Sequence, residues 1–292
     1  APLPPAVPAA AVATRARISP AARHRAQVLG VDPERLHGTG PGGAVTFADV
    51  ERAAPQPLPS PAPPAPSHRG FDAALMRQAI AAAMSRSKRE IPHYYLASTI
   101  DFGAAAAWLQ AWNGERAPEE RLLPAALLLK ATARALAMAP QLNGFYENGT
   151  FRAGPGIHIG WAVALRGGGL VAPALHDVDR KPLPELMAAL RELVQRVRAG
   201  GLRSSELTDP TVTVTSLGDR GAERVLGVIY PPQVAIVGFG RVVERPWVVE
   251  GRIVPRPVIS ASLAGDHRAS DGHIGGLLLA AIDRALQAPE QL

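Results

Sequence analysis

The chain has 292 residues, 47% of them hydrophobic, with no cysteine and a formal net charge of +6, which is enough for one large domain or two smaller ones around a real core. The lack of cysteine excludes disulfides, thiolate metal sites and a cysteine nucleophile, so any thioester chemistry has to use a thiol brought by a ligand. A basic balance would suit nucleic acid, but the arginines are dispersed and aromatic residues make up only 5%, which is poor for base stacking.

No run is long and apolar enough to span a bilayer, and the start Ala1-Pro2-Leu3-Pro4-Pro5 lacks the charged and apolar parts of a signal peptide, so a soluble cytoplasmic protein is expected. Residues 1–16, rich in Ala, Pro and Val, read as an extended linker arm with something tethered upstream. From Ile18 the pattern changes. Ser19 caps a short helix with Pro20 in its first turn, and Gly30 ends it. Asp32-Pro33 starts another turn, and Thr46-Phe47-Ala48-Asp49-Val50 starts a last short helix, giving a small unit over residues 17–53. Between them Gly38-Thr39-Gly40-Pro41-Gly42-Gly43 satisfies G-x-G-x-x-G formally, but no strand precedes it and Pro41 interrupts it. A tight loop needing positive backbone angles is the better reading. Residues 54–70, Pro-rich and almost uncharged until their end, form a second stiff linker.

Residues 71–292 read as one α/β (α+β) domain in which helices pack on a mixed or mostly antiparallel sheet. Helices are expected over 73–89, 103–113, 122–138, 183–199 and 272–287, and strands over 94–100, 157–164, 170–174, 211–216, 234–239 and 258–263.

The densest polar cluster is Gly265-Asp266-His267-Arg268-Ala269-Ser270-Asp271-Gly272-His273, between a β-forming run and a Gly-rich helix start. Such loops often carry catalytic groups. A histidine there can act as a general base near neutral pH, and an aspartate four residues on can hold the loop. A satisfied surface turn is the competing reading. The histidines at 158, 176 and 273 show no metal-ligand spacing, and no metal is expected.

The order Asp-His-x-x-x-Asp-Gly followed by a helix resembles the catalytic signature of the dihydrolipoamide acyltransferases of 2-oxo acid dehydrogenase complexes and of chloramphenicol acetyltransferase. Other segments resemble the acyltransferases in the same order, among them Ser87 to Tyr94, Pro140-Gln141-Leu142-Asn143, Ile157 to Val163, Gly169 to Pro173, Thr213 to Gly218 and Pro231 to Ile236. Residues 17–53 are similar to the peripheral subunit-binding domain that precedes the family's catalytic domain, through Ser19 to Arg23, Leu29 to Asp32 and the Gly38 to Gly43 loop.

The resemblance implies a chloramphenicol-acetyltransferase-like sandwich behind a small helical domain, and transfer of an acyl group between coenzyme A and dihydrolipoyl groups. His267 would take the proton of the coenzyme A thiol. Thr215 would supply the hydroxyl that stabilises the oxyanion, at a position where the family usually has Ser. Asp271 would fix the loop and cap the last helix. Asn143 and His93 match family positions but are weak candidates for substrate contact. No lipoyl domain lies in these residues, so the lipoyl group is expected from an upstream segment or in trans. Of the family's partner-binding arginines Arg23 matches, while Gln27 and Ala44 stand at the others; Arg25 and His24 are expected to compensate. A homotrimer with active sites between subunits is implied, and the short tail Ala288 to Leu292 leaves a larger cage open. The run Thr215-Ser216-Leu217-Gly218 favours acetyl over branched-chain groups, and both over succinyl. A noncatalytic scaffold of the same fold and an acetyltransferase for a free small molecule are the alternatives.

Overall fold

The computed structural model describes residues 17–53, 73–165, 169–219 and 221–292. Contacts within the chain divide it into two units, Ala1–Ser67 and His68–Leu292. The linkers expected at 1–16 and 54–70 lie outside the described residues.

In the first unit, helix α1 (Pro20–Leu29) begins where Ser19 Oγ accepts the Ala22 N–H at 3.2 Å, and it ends at Gly30, whose φ of 65° only glycine adopts readily. A 3₁₀ turn (Pro33–Arg35) and helix α2 (Phe47–Ala53) follow. Ala22, Ala26, Val45 and Val50 form the small core. The glycine loop is the tight connection expected: a side chain at Gly38 would collide with the Ala44 backbone, and Gly42 has φ 68°. Asp49 ties this loop to the start of α2. Its buried carboxylate accepts the backbone N–H and hydroxyl of both Thr39 and Thr46 at 2.8–2.9 Å. Those bonds, the Thr39 amide first, hold the carboxyl well below the usual carboxylate range.

The second unit runs α3 (Ala73–Glu90), β1 (His93–Asp101), α4 (Gly103–Gly114), α5 (Pro124–Met138), β2 (Gly144–Glu147), β3 (Thr150–Ala153), β4 (Ile159–Trp161), β5 (Val163–Ala164), β6 (Leu170–Val171) and β7 (Ala174–Leu175). It continues with α6 (Leu183–Ala199), α7 (Ser204–Thr208), β8 (Val212–Ser216), β9 (Ala235–Phe239), β10 (Val243–Val249), β11 (Arg252–Asp266) and α8 (Gly272–Gln287). The main sheet has the order β1-β11-β9-β8-β4-β7, with β10 also paired to β11. It is mixed: β9, β8 and β4 are parallel neighbours, and the other pairs are antiparallel.

Alternation along the strands sends Val212, Val214, Val237, Ala261 and Leu263 into one core with α4, α5, α6 and α8. Burying the valine and leucine side chains contributes roughly 1.5–3 kcal/mol each. The opposite face carries Thr213, Ile236 and Ser262 and is crossed by the segment between β8 and β9. There Ile229 packs with Ile91, Ile236 and Ala264, and its carbonyl accepts the Ser87 hydroxyl at 2.6 Å. In α5, Lys130 is buried among leucines, with Nζ donating to the carbonyls of Val178, Asp179 and Lys181. Burial pushes its ammonium below the ordinary lysine range.

Several strand assignments differ from expectation. Residues 157–164 divide into β4 and β5, and 170–174 into β6 and the start of β7. The chain leaves the main sheet after Ala162, whose N–H bonds Val214, while Pro173 has no N–H to continue a ladder. The hairpin β2–β3 and strand β10 were not expected, and β11 extends well beyond 258–263 at both ends.

Candidate active site

The polar cluster sits where β11 runs out. Asp266, the last residue of β11, pairs with His93 of β1 and donates its N–H to Val234 O at 2.8 Å. His267 N–H reaches Pro92 O at 3.0 Å, so successive residues are tied to opposite neighbours. The chain then turns, with the N–H groups of Ala269 and Ser270 on Asp266 O at 3.0 and 3.1 Å. This leaves the His267 side chain exposed at the end of the sheet. The Tyr94 ring meets the His267 imidazole edge-on, with centroids 5.4 Å apart and planes at 72°. Tyr94 lies in space that Gly265 leaves free, since a Cβ at Gly265 would enter its ring. The Tyr94 and Ser270 hydroxyls are 2.9 Å apart, and burial raises the Tyr94 phenol above its ordinary range.

Asp271 caps α8, its Oδ1 accepting the Ile274 N–H at 3.0 Å. That bond is the largest cause holding its carboxyl below the usual range. Beside the turn, a cleft of about 450 Å³ is lined by Arg86, Glu90, Tyr146, Pro231, Pro232 and Arg268.

Thr215 lies elsewhere. It is half-buried on β8 beside Gly238 of β9, which faces Ser262 of β11. From Ser262 to His267 is roughly 17 Å along the strand, and the two strand steps add about 10 Å across it. The chain therefore does not bring Thr215 and His267 together.

The weaker candidates are occupied structurally. His93 Nε2 accepts the Ile229 N–H at 3.1 Å and so braces the segment across the sheet, while Nδ1 lies 2.9 Å from Ile91 O, two residues back. Asn143 is buried, donating to Gly156 O at 2.9 Å and accepting the Thr211 hydroxyl at 2.5 Å. His158 Nδ1 accepts the Asp177 N–H, His176 Nε2 lies 3.0 Å from Asp209, and His273 is exposed. Among the described residues no group of three or more His, Cys, Asp or Glu could hold a metal ion, and no helix is long and apolar enough to cross a membrane.

In the first unit Arg23, His24 and Gln27 are exposed and Ala44 is half-buried. Arg25 is half-buried and joins α1 to α2 through Glu51 at 2.9 Å. The sequence reading left Asp266 and Arg268 without roles. The signal available was a pair of opposite charges flanking the histidine.

The domain is a helix-backed mixed sheet that presents an exposed histidine on a braced turn, and comparison with known proteins specifies its class. Residues 67–292 match the family of 2-oxoacid dehydrogenases acyltransferase (catalytic domain), and residues 16–51 match the e3 binding domain. The chain is 32% identical over 283 residues to the dihydrolipoyllysine-residue acetyltransferase component of the acetoin cleaving system of Bacillus subtilis (strain 168), covering 95% of this chain and 71% of that protein. It is 34% identical over 289 residues to the lipoamide acyltransferase component of the branched-chain alpha-keto acid dehydrogenase complex of Pseudomonas aeruginosa, covering 94% and 66%. Among solved structures, dihydrolipoamide acetyltransferase from Azotobacter vinelandii superposes with a TM-score of 0.68 at 27% identity, over 74% of this chain and 90% of that one. The chain belongs to the 2-oxoacid dehydrogenase acyltransferase family, and it spans about two-thirds of the length of these curated relatives.

Proposed function

We propose that this chain transfers an acyl group, acetyl by preference, between coenzyme A and dihydrolipoyl groups as the core acyltransferase of a 2-oxo acid dehydrogenase complex, with His267 as general base. The observation that carries this is the exposed His267 imidazole on a turn braced by main-chain bonds to Val234 and Pro92. The imidazole accepts the thiol proton of coenzyme A, and the thiolate attacks the thioester carbonyl of an acylated dihydrolipoyl group. As the intermediate collapses, the dihydrolipoyl sulfur leaves and takes the proton back from His267. Both thiols belong to the substrates, which suits a chain without cysteine.

The oxyanion needs a donor. Thr215 can serve His267 only from another copy, which suits the homotrimer with active sites between subunits that the family resemblance implies. Asp271, bonded to the first turn of α8, fixes the loop and moves no proton. Residues 17–53 dock the partner dehydrogenase. Arg23 makes the contact, and Arg25, paired with Glu51, braces it. The lipoyl group arrives from an upstream segment or in trans. Relatives acting in acetyl and in branched-chain systems resemble the chain to similar degrees, so the acetyl preference rests on the Thr215 to Gly218 run.

The test is transfer of acetyl from acetyl coenzyme A to free dihydrolipoamide by wild type and His267→Ala at matched oligomeric state. A loss of several orders of magnitude in the variant is expected. Absence of transfer in both proteins would point to a scaffold instead.

A further inference from the structure

We infer that Asp266, Arg268 and Tyr146 form a clamp that positions the general base, with Arg268 a positioning residue and not a substrate ligand. The inference rests on the reading of His267 given above.

Asp266 is fully buried, a place where an acidic side chain needs hydrogen-bond partners. Among the described residues, the hydrogen bonds of its carboxylate come from Arg268. Nε donates to Oδ1 at 2.9 Å and to Oδ2 at 3.2 Å, Nη2 donates to Oδ2 at 2.7 Å, and the Arg268 main-chain N–H reaches Oδ1 at 3.0 Å. The two residues flank His267, so their side chains close a ring around its backbone and limit where its Cα can move. The outer face of the clamp is aromatic. The Arg268 guanidinium carbon lies 4.1 Å from the centroid of the Tyr146 ring. Tyr146 is itself fixed, with its N–H on Pro232 O at 2.8 Å and its hydroxyl on Gly149 O at 3.0 Å.

This geometry argues against an anion-binding role for Arg268. A phosphate or carboxylate is gripped by two parallel N–H groups of a guanidinium, and here Nε and Nη2 already grip Asp266 while the ring covers one face. A lysine cannot replace such a fork, because it offers a point charge without the planar pair of donors.

The experiment compares Arg268→Lys, Tyr146→Leu, Tyr146→Phe and His267→Ala in the acetyl-transfer assay, with oligomeric state and circular dichroism checked for each. Misplacing a catalytic group by about 1 Å can cost up to a hundredfold, so Arg268→Lys should lower kcat by about ten- to a hundredfold. Both KM values should stay within about twofold. Tyr146→Leu should do the same more mildly, while Tyr146→Phe, which keeps the ring face, should restore kcat. If Arg268→Lys fails to assemble, the Tyr146 pair decides. A raised KM for coenzyme A at unchanged kcat would make Arg268 a substrate ligand and overturn the clamp. Wild-type kinetics in both Arg268→Lys and Tyr146→Leu would also overturn it, leaving a structural ion pair. Full activity in His267→Ala would instead overturn the base itself, which separates the two failures.

Discussion

Thr215 and His267 share one sheet but stand roughly 20 Å apart, because β9 lies between their strands and Thr215 is level with Ser262, well back from the end of β11. No rotamer of either side chain closes that gap, so in the proposed reaction one carbonyl can meet both groups only where two copies face each other. Within such a site Thr215 needs just its hydroxyl. Thr215→Val should lower kcat by about a hundredfold or more, equivalent to about 3 kcal/mol of lost oxyanion stabilisation, while Thr215→Ser should retain it. Steady-state turnover of the assembled oligomers checks this, and equal loss in both variants would show that backbone fit at β8 matters more than the donor.

His158 gives the catalytic domain a pH dependence. Its burial disfavours the imidazolium and holds the group below the ordinary histidine range, and Nδ1 already accepts the Asp177 N–H at 3.1 Å. The unfolded chain takes up this proton near pH 6.5 while the folded domain resists it, so stability should fall as pH drops below about 6.5 and level off once the folded group also titrates. Urea midpoints of wild type and His158→Gln between pH 7.5 and about 5 test this. Curves that stay parallel would exclude His158 as the source.

Asp49 acts with the same sign over a lower range. Its folded carboxyl titrates far below that of the unfolded chain, so its stabilisation of the first unit is complete above about pH 4 and is lost as pH falls toward the depressed value. The protection factors of the Thr39 and Thr46 amides in the whole chain, taken relative to their intrinsic exchange at each pH, should therefore fall on acidification. Asp49→Asn should exchange faster at neutral pH and respond less to acid.

Much of this was legible in local chemistry. Ser19, Gly30 and the Asp271-Gly272 pair marked helix ends because caps are local, and long apolar periods gave α5, α6 and α8. The β2–β3 hairpin was legible too: Asn148-Gly149, with φ of 52° and 79°, is a strong hairpin-turn signal between two β-forming runs. Strand β10 was masked by Pro246, which faces Pro255 across the β10–β11 ribbon, where the usual rule against proline in strands misleads. Lys130 shows what pattern alone conceals, since one lysine in a leucine-rich helix gives no sign that three carbonyls await it. In the candidate site, the cap at Asp271 could be read from residue type and spacing, and the role expected of His267 came from the family resemblance. The separation of Thr215 from His267 could not, because it depends on a strand order that departs from chain order.

The central claim, that His267 of one copy works with Thr215 of another, is tested most directly by co-assembling His267→Ala and Thr215→Val chains carrying different tags and purifying mixed trimers. Each variant alone should be nearly inactive. A mixed trimer should recover about one working site in three, because a single interface then joins an intact histidine to an intact threonine. Recovery near a third of wild-type turnover is the predicted result, and mixed trimers no more active than the single variants would contradict it.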